Sequence, residues 1–507
     1  MTRRATLVLL AAAIAACHRD RPVAVAPAPP PASLAGQPQR PLDVVALDAF
    51  LEDARVRLAV PGAAVAVVQG GAIVYQRGFG VRVLGGDAPV TPDTLFMIAS
   101  LTKGLTTMME AALVDDGTVR WDSPLTTLLP SFAVGDAALT RQLVLWHSAC
   151  ACSGMPQQDL EGIFEWRGVT PEARIAAMAT MAPTAALGAT YQYSNLMVAA
   201  GGYAAAHAFA PERSIGDAYD AAMQAKIFDP IGMTSTTFDF AAAARADHAE
   251  PHAAALDGTT RPIPLAMEES VIPIRPAGGV WTSLRDLTRF VMTELAVGVA
   301  PDGTRVVSES NVLERRRPRI AREDDGDSYG LGLSVGDYEG LAVVEHSGGS
   351  FGFRTRMILH PDQRLAIVVL TNSTAVGGDL TEATRRKVLE LVFAAAAPRA
   401  QTELDARIAE RAQAIADVMA RVDRAPDAAW LRGLAGTYRH PALGAVELRA
   451  TPDGGVLDVG EWHSRVGRLT AADGAVSLVL LDPPFAGGAL AIGDDTLTAD
   501  GGYVLTR

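Results

Sequence analysis

Hydrophobic residues in the first part of the chain follow two periods, which predict a hairpin and two helices. The run GAAVAVVQGGAIVYQRGFGV contains two apolar, β-rich halves around a Gly-Gly turn, which is typical of a β-hairpin. Before it, LDAFLEDARVRL has the spacing of an amphipathic helix. After it, the apolar residues of SLTKGLTTMMEAALVDDG recur at helical spacing, and Gly117 marks the predicted end of that helix.

The later patterns predict the rest of an α+β fold. Residues 120–300 are helical and loop-rich, and the runs LAVVEHSGGSFGF, RTRMILH and LAIVVLTN are strand-like, the last two joined by the turn PDQR. EATRRKVLELVFAAA predicts a closing helix. This order predicts an antiparallel sheet flanked by helices over residues 43–400. Residues 401–426 predict a charged helical connector, and 427–507 a small all-β barrel.

The first residues have the pattern of an export signal. Two arginines precede ATLVLLAAAIAA, an apolar run too short to span a bilayer. The run ends in IAAC, which resembles the lipobox of bacterial lipoproteins, with Cys17 as the lipidated residue; the alternative is an ordinary signal peptide. We therefore expect a signal peptide over 1–17 and a Pro/Ala-rich tether over 18–42. The protein would be anchored in the bacterial cell envelope, on the periplasmic face.

Composition narrows the possible functions. With 507 residues, of which 49% are hydrophobic, the chain can bury a large core and is expected to form at least two domains. A formal charge of −13 argues against a nucleic-acid partner, because phosphate binding needs a basic surface. The sequence contains no P-loop motif and no H-E-x-x-H zinc motif. No metal or organic cofactor is expected.

The pair Ser100 and Lys103 is the first candidate for chemistry. Lysine occurs only three times in the chain, and Lys103 alone has a serine three residues before it. Residues at i and i+3 share a helix face, so the lysine can reach the serine oxygen and act as a base. Amide groups at the helix start favour negative charge there. The alternative is a solvated lysine near an ordinary N-cap serine.

Tyr193, Ser194 and Asn195 form the second candidate group, at the start of an apolar helix. A tyrosine beside a cationic lysine can have its pKa lowered and serve as a general base. The amide of Asn195 could hold a substrate carbonyl or the lysine. Alone, this motif is also typical of a buried tyrosine followed by a helix N-cap.

The third candidate group is His346-Ser347-Gly348-Gly349, at the end of a predicted strand. Glycines allow a substrate to approach the backbone closely, and a strand edge can donate an N–H to an oxyanion. The alternative is a glycine-rich turn with a surface histidine.

Together and in this order, the three motifs resemble those of the class C β-lactamase-like serine hydrolases, S-x-x-K, Y-x-N and [KH]-[ST]-G. The resemblance covers residues 45–395, and the C-terminal domain resembles the lipocalin-like barrel of some peptidase-like members. It implies an acyl-enzyme mechanism on D-amino-acid peptides, β-lactams or small esters. The alternative is an envelope lipoprotein that binds penicillin without efficient turnover. The implied roles are an acylated nucleophile, Ser100; proton transfer, Lys103 and Tyr193; substrate binding, Asn195, His346, Ser347 and Gly348; and an oxyanion hole, the N–H groups of Ser100 and Gly349.

Two differences from the family motifs and one competing motif affect this interpretation. His346 stands where the β-lactamases have a lysine, and a histidine is mostly neutral near pH 7. HSACACSG replaces a typical His-Thr-Ser-Gly; we expect its cysteines, Cys150 and Cys152, to be small apolar loop residues rather than a disulfide or a metal site with His147. The segment GGSFG fits G-x-S-x-G, but strand, turn and strand follow Ser350 where that motif requires a helix.

Overall fold

The computed structural model describes residues 33–322, 326–395 and 398–507. The predicted signal peptide, Cys17 and the first part of the tether lie outside the described residues. Residues 33–42, the last part of the predicted tether, lie on the first domain: Leu34 is 4% exposed, and the N–H groups of Leu34 and Arg40 donate to the carbonyls of Glu339 and Val392. Within the described ranges, no helix has both the length and the apolarity needed to cross a membrane.

The first domain is built on an antiparallel sheet of eight strands. Their order across the sheet is β2-β1-β12-β11-β10-β9-β8-β7, and the remaining strands form two separate two-stranded ladders, β3 with β6 and β4 with β5. The strands are β1 Gly62–Gln69, β2 Ala72–Gly80, β3 Leu95–Met97, β4 His252–Ala254, β5 Thr260–Pro262, β6 Trp281–Ser283, β7 Ile320–Ala321, β8 Ser328–Tyr329, β9 Ser334–Tyr338, β10 Leu341–Gly349, β11 Arg354–His360 and β12 Leu365–Thr371.

Helices cover both faces of this sheet. α1, α14 and α15 pack on one face, most of the others form the larger core on the opposite face, and α16 packs against the C-terminal barrel. The helices are α1 Val44–Leu58, α2 Thr102–Asp115, α3 Leu125–Leu128, α4 Ala137–Gln142, α5 Leu145–Ala149, α6 Leu160–Phe164, α7 Pro171–Ala177, α8 Asn195–Phe209, α9 Ile215–Met223, α10 Asp229–Ile231, α11 Phe240–Arg245, α12 Leu284–Leu295, α13 Glu309–Arg315, α14 Gly377–Phe393, α15 Ala400–Met419 and α16 Ala428–Leu434.

Strands β1 and β2 pair antiparallel, so the hairpin prediction is correct. Successive side chains of a strand point to opposite faces. Val65 and Val67 accordingly join the core under α1 and α14, while Ala66 and Val68 join the core around α2. Because both faces are covered, every residue from Gly62 to Val68 is buried. The predicted α+β architecture is therefore confirmed.

The C-terminal domain is a closed antiparallel barrel of eight strands, as the sequence predicts. Strands β14 to β21 follow one another around it, and pairing of β21 with β14 closes the ring; the short β13 adds to its side, next to β17. The strands are β13 Val422–Asp423, β14 Gly436–His440, β15 Gly444–Thr451, β16 Gly454–Asp458, β17 His463–Thr470, β18 Val476–Leu480, β19 Ala489–Ile492, β20 Thr496–Thr498 and β21 Val504–Thr506.

The barrel packs against two loops of the first domain. The ring of Phe485 lies 5.4 Å from that of Phe351, centroid to centroid, and the Trp462 indole N–H donates to the Ile163 carbonyl at 3.1 Å. The Glu461 carboxylate accepts from the backbone N–H of Trp166 at 3.1 Å. One hydrophobic cluster therefore continues from the barrel interior into the segment around α6.

Candidate active site

Ser100 lies at the junction of a short 3-10 turn, Ala99–Leu101, and helix α2. Ala99 adopts a left-handed backbone with φ 47°, which is rare for a residue other than glycine and often occurs at functional sites. Only 5% of Ser100 is exposed, at the wall of a cleft. Because the turn continues directly into α2, Ser100 and Lys103 share one face, as the motif spacing predicts.

Lys103 is completely buried beneath the serine. Its Nζ donates to Ser100 Oγ at 2.9 Å and to the Ala277 carbonyl at 2.5 Å, and it lies 4.8 Å from the centre of the Tyr193 ring. The solvated-lysine alternative is therefore wrong. The lysine is held at the distance that proton exchange with Ser100 requires.

Tyr193 approaches the same oxygen from another element. Its hydroxyl lies 3.0 Å from Ser100 Oγ, and its side chain is 5% exposed. The next residue, Ser194, caps helix α8 by accepting from the Met197 N–H. The cap interpretation of this motif is thus correct for Ser194, while the tyrosine before it is directed at the nucleophile candidate. Two proton-carrying groups converge on one serine oxygen.

Asn195 lines the cleft. Its Nδ2 donates to both carboxylate oxygens of Asp159, at 3.0 and 2.9 Å. Asp159 was not expected from the sequence, because it lies 36 residues away in an irregular segment. The pair ties the segment before α6 to the start of α8, so Asp159 orients the Asn195 amide at the cleft wall.

The third motif lies at the end of β10, as predicted, but His346 does not line the cleft. The histidine is 6% exposed; its Nε2 lies 2.9 Å from the Tyr329 hydroxyl and its Nδ1 2.6 Å from the Ser347 carbonyl. Gly348 is buried so tightly that an added Cβ would lie 2.2 Å from the Ile98 carbonyl. Gly349 does line the cleft. The motif therefore meets the cleft through its glycine backbone.

Ser350 lies in the loop between β10 and β11, so the G-x-S-x-G rival lacks its required helix. The Ser350 hydroxyl donates to Glu268 at 3.1 Å, and the Gly352 N–H donates to the same oxygen at 2.7 Å. Glu268 is fully buried. The burial raises its pKa to about 7, although these hydrogen bonds lower the pKa. No sequence signal pointed to Glu268, which supports the loop at the cleft wall.

The cysteine prediction is wrong. Cys150 and Cys152 form a disulfide. His147 takes no part: its Nδ1 accepts from the Val144 N–H, and burial lowers its pKa to about 4. Across the described ranges, no group of three or more His, Cys, Asp or Glu residues could hold a metal ion.

The cleft encloses about 140 Å³ and combines apolar walls with few charges. Among the described residues that line it, Arg174 is the only cation, and its Nη2 donates to the Glu165 carbonyl at 2.6 Å. Burial lowers the pKa of Arg174. The cleft can thus take a small acyl group beside Ser100.

A protein-family model described as Beta-lactamase matches residues 47–391, more than half of the chain. The chain belongs to the Beta-lactamase family. This assignment agrees with the resemblance drawn from the three motifs, and it makes the chain a relative of serine hydrolases.

Three curated relatives of this Beta-lactamase family member are similar at low identity. Unguisins hydrolase ungD' of Aspergillus campestris (strain IBT 28561) is 28% identical over 62% of this chain, and the match spans only 59% of that protein. Penicillin-binding protein 4 of Amycolatopsis lactamdurans is 28% identical over 66% of this chain and 86% of its own length. D-alanyl-D-alanine-carboxypeptidase/endopeptidase AmpH of Escherichia coli (strain K12) is 26% identical over 72% and 90%.

A solved structure supports the fold. The octameric penicillin-binding protein homologue from Pyrococcus abyssi superposes with a TM-score of 0.61 and 20% identity, covering 92% of this chain and all of that one. At this identity the similarity extends to the fold alone.

Proposed function

We propose that this protein is a serine acyl-hydrolase with Ser100 as its nucleophile. The supporting observation is that Ser100 Oγ lies 2.9 Å from Lys103 Nζ and 3.0 Å from the Tyr193 hydroxyl, at the wall of a cleft. A nucleophile within hydrogen-bond distance of a base is the arrangement that covalent catalysis needs.

In the proposed reaction, the Ser100 hydroxyl gives its proton to unprotonated Lys103 or to the Tyr193 phenolate as Oγ bonds to the substrate carbonyl carbon. The carbonyl electron pair moves to oxygen, where the N–H groups of Ser100 and Gly349 would stabilise the negative charge. Collapse of this intermediate breaks the bond to the leaving group, which takes the proton. Water then repeats the sequence on the acyl-enzyme and releases the acid.

The proposed substrates are D-amino-acid peptides, β-lactams or small esters. The small cleft volume favours compact acyl groups. The names of two relatives, a penicillin-binding protein and a D-alanyl-D-alanine carboxypeptidase/endopeptidase, support the first two classes. The departure at His346 argues against efficient recognition of a β-lactam carboxylate by that side chain, because both ring nitrogens have protein partners.

An intact-mass time course tests the proposal. Wild-type protein, Ser100→Ala and Ser350→Ala are each incubated with benzylpenicillin and with p-nitrophenyl acetate. We expect an acyl adduct on the wild type and on Ser350→Ala, and none on Ser100→Ala. Ser350 is the matched control because it lines the same cleft. Loss of the adduct in Ser350→Ala with retention in Ser100→Ala would refute the assignment. A benzylpenicillin adduct that persists on the wild type would favour the alternative, a penicillin-binding protein without efficient turnover.

We also infer that Cys17 carries a lipid anchor in the cell envelope, on the basis of the IAAC sequence. Metabolic labelling with an alkyne fatty acid in a bacterial host tests this inference. We expect labelled, membrane-associated wild type and unlabelled Cys17→Ala; equal labelling of both would contradict it.

A further inference from the structure

The loop after α5 is closed by the disulfide between Cys150 and Cys152. Both cysteines are buried, at 0% and 2% exposure, and Ala151 between them is 8% exposed. Ala151 has a left-handed backbone with φ 53°. An unconstrained alanine adopts this conformation about tenfold less often than the right-handed one. A crosslink that spans the residue on both sides limits its escape to other conformations.

This loop forms the wall behind Tyr193. The Ala151 carbonyl accepts the Gln192 N–H at 2.7 Å, one residue before the tyrosine, and the Cys152 carbonyl accepts the Gly188 N–H at 2.7 Å. Ala151 also packs in one buried cluster with Tyr193 and Tyr329. The position of the Tyr193 ring thus depends on where the Ala151 carbonyl points.

We propose that the Cys150–Cys152 disulfide is a positioning clamp for Tyr193. By holding Ala151 left-handed, it aims the Ala151 carbonyl at Gln192 and keeps the tyrosine hydroxyl 3.0 Å from Ser100 Oγ. The clamp rests on the proposed function, in which Tyr193 shares the proton transfers. Without the crosslink, Ala151 relaxes to a right-handed backbone, its carbonyl turns away, and the hydroxyl leaves the serine.

Thiol mapping tests whether the clamp exists. Purified protein is denatured and alkylated with iodoacetamide, with and without prior reduction by dithiothreitol, and the peptide that contains both cysteines is weighed. We expect alkylation of this peptide only after reduction. Two alkylated thiols without reductant would overturn the proposal.

Kinetics test what the clamp does. The kcat and KM for hydrolysis of p-nitrophenyl acetate are measured for wild type, Cys150→Ala/Cys152→Ala, and the same double variant with Ala151→Gly. We expect the double variant to lose about tenfold in kcat with KM within twofold, as the left-handed penalty predicts. Glycine adopts positive φ freely, so the triple variant should regain wild-type kcat within about twofold. Ala151→Gly alone, with the disulfide intact, is the matched control and should match wild type.

Each result decides the matter. A double variant with full kcat overturns the clamp, and so does a loss of kcat that glycine does not restore. If the double variant fails to fold, the triple variant still decides, since a tenfold loss there contradicts the backbone role and wild-type kcat supports it. A wild type without Ser100-dependent acylation overturns the proposed function and the clamp together.

Discussion

Glu110 offers a quantitative test of the electrostatics in the buried core around α2. It lies on α2, 0% exposed, and neither carboxyl oxygen has a hydrogen-bond partner among the described residues. The nearby cation, Arg315, is engaged by Glu294 at 2.7 Å. Burial therefore dominates and raises the pKa of Glu110 from 4.5 to about 8. The perturbation is Glu110→Gln, which removes the ionisation and nearly keeps the shape.

The magnitude follows from linkage between protonation and folding. A carboxyl whose pKa is raised on folding stabilises the native state fully below its unfolded pKa, and this stability is lost as pH rises through the folded pKa. For Glu110 the loss occurs between pH 4.5 and about pH 8. At 1.36 kcal/mol for each pKa unit, the cost at pH 7 is about 3 kcal/mol. About 2.5 kcal/mol of it develops between pH 5 and pH 7.

Urea unfolding followed by tryptophan fluorescence, at pH 5, 6 and 7, measures this cost. We expect the free energy of unfolding of Glu110→Gln minus that of wild type to rise by about 2.5 kcal/mol from pH 5 to pH 7. This difference cancels any constant penalty of the buried amide. Glu309→Gln, on the exposed side of α13, is the control for replacing a carboxylate that lies in solvent. A flat difference for Glu110→Gln would refute the reasoning.

Three further predictions concern the cleft. As the cation in the cleft wall, Arg174 is expected to hold the carboxylate of a bound D-peptide. Arg174→Gln should therefore raise KM about tenfold for a D-peptide with a free carboxylate, because that charge-assisted contact is lost, and leave KM for its methyl ester within about twofold. Equal effects on both substrates in steady-state kinetics would contradict this. Phe485→Ala removes the barrel ring that packs on Phe351, so it should destabilise the protein by about 3 kcal/mol in urea unfolding and raise the rate on bulky esters relative to acetate. An unchanged ratio would argue against a role of the barrel at the cleft. The carboxyl of Glu268 ionises near pH 7. Wild-type kcat/KM should therefore change between pH 6 and 8, and a Glu268→Gln profile that keeps the same inflection would exclude Glu268 as its source.

Local sequence patterns were enough to predict the sheet, the main helices and the contact of Ser100 with Lys103. Each depends on a short period: alternation in β1 places residues on two faces, and a spacing of three places the lysine beside the serine. The same reasoning placed the third motif at the end of β10. It did not predict that His346 would turn to Tyr329, because the partner of a side chain depends on the whole sheet.

The missed features all join segments that are distant in sequence or irregular. Asp159 meets Asn195 across 36 residues, and Glu268 meets Gly352 across 84. Neither segment has a periodic pattern that would fix its path. A one-residue gap between two cysteines argues against a disulfide, because the geometry of the bridge is demanding. The Ala151 and Cys152 carbonyls accept hydrogen bonds from the N–H groups of Gln192 and Gly188, and no local pattern reveals this contact with a distant segment.

The barrel interface allows the outer part of the cleft to change in evolution independently of the residues around Ser100. Phe351 belongs to the loop that lines the cleft, yet its neighbour Phe485 comes from the appended barrel. Exchange of one barrel for another by recombination would thus reshape the outer wall without touching Ser100, Lys103 or Tyr193. Substrate range could diversify through a module, while the proton-transfer machinery is inherited unchanged.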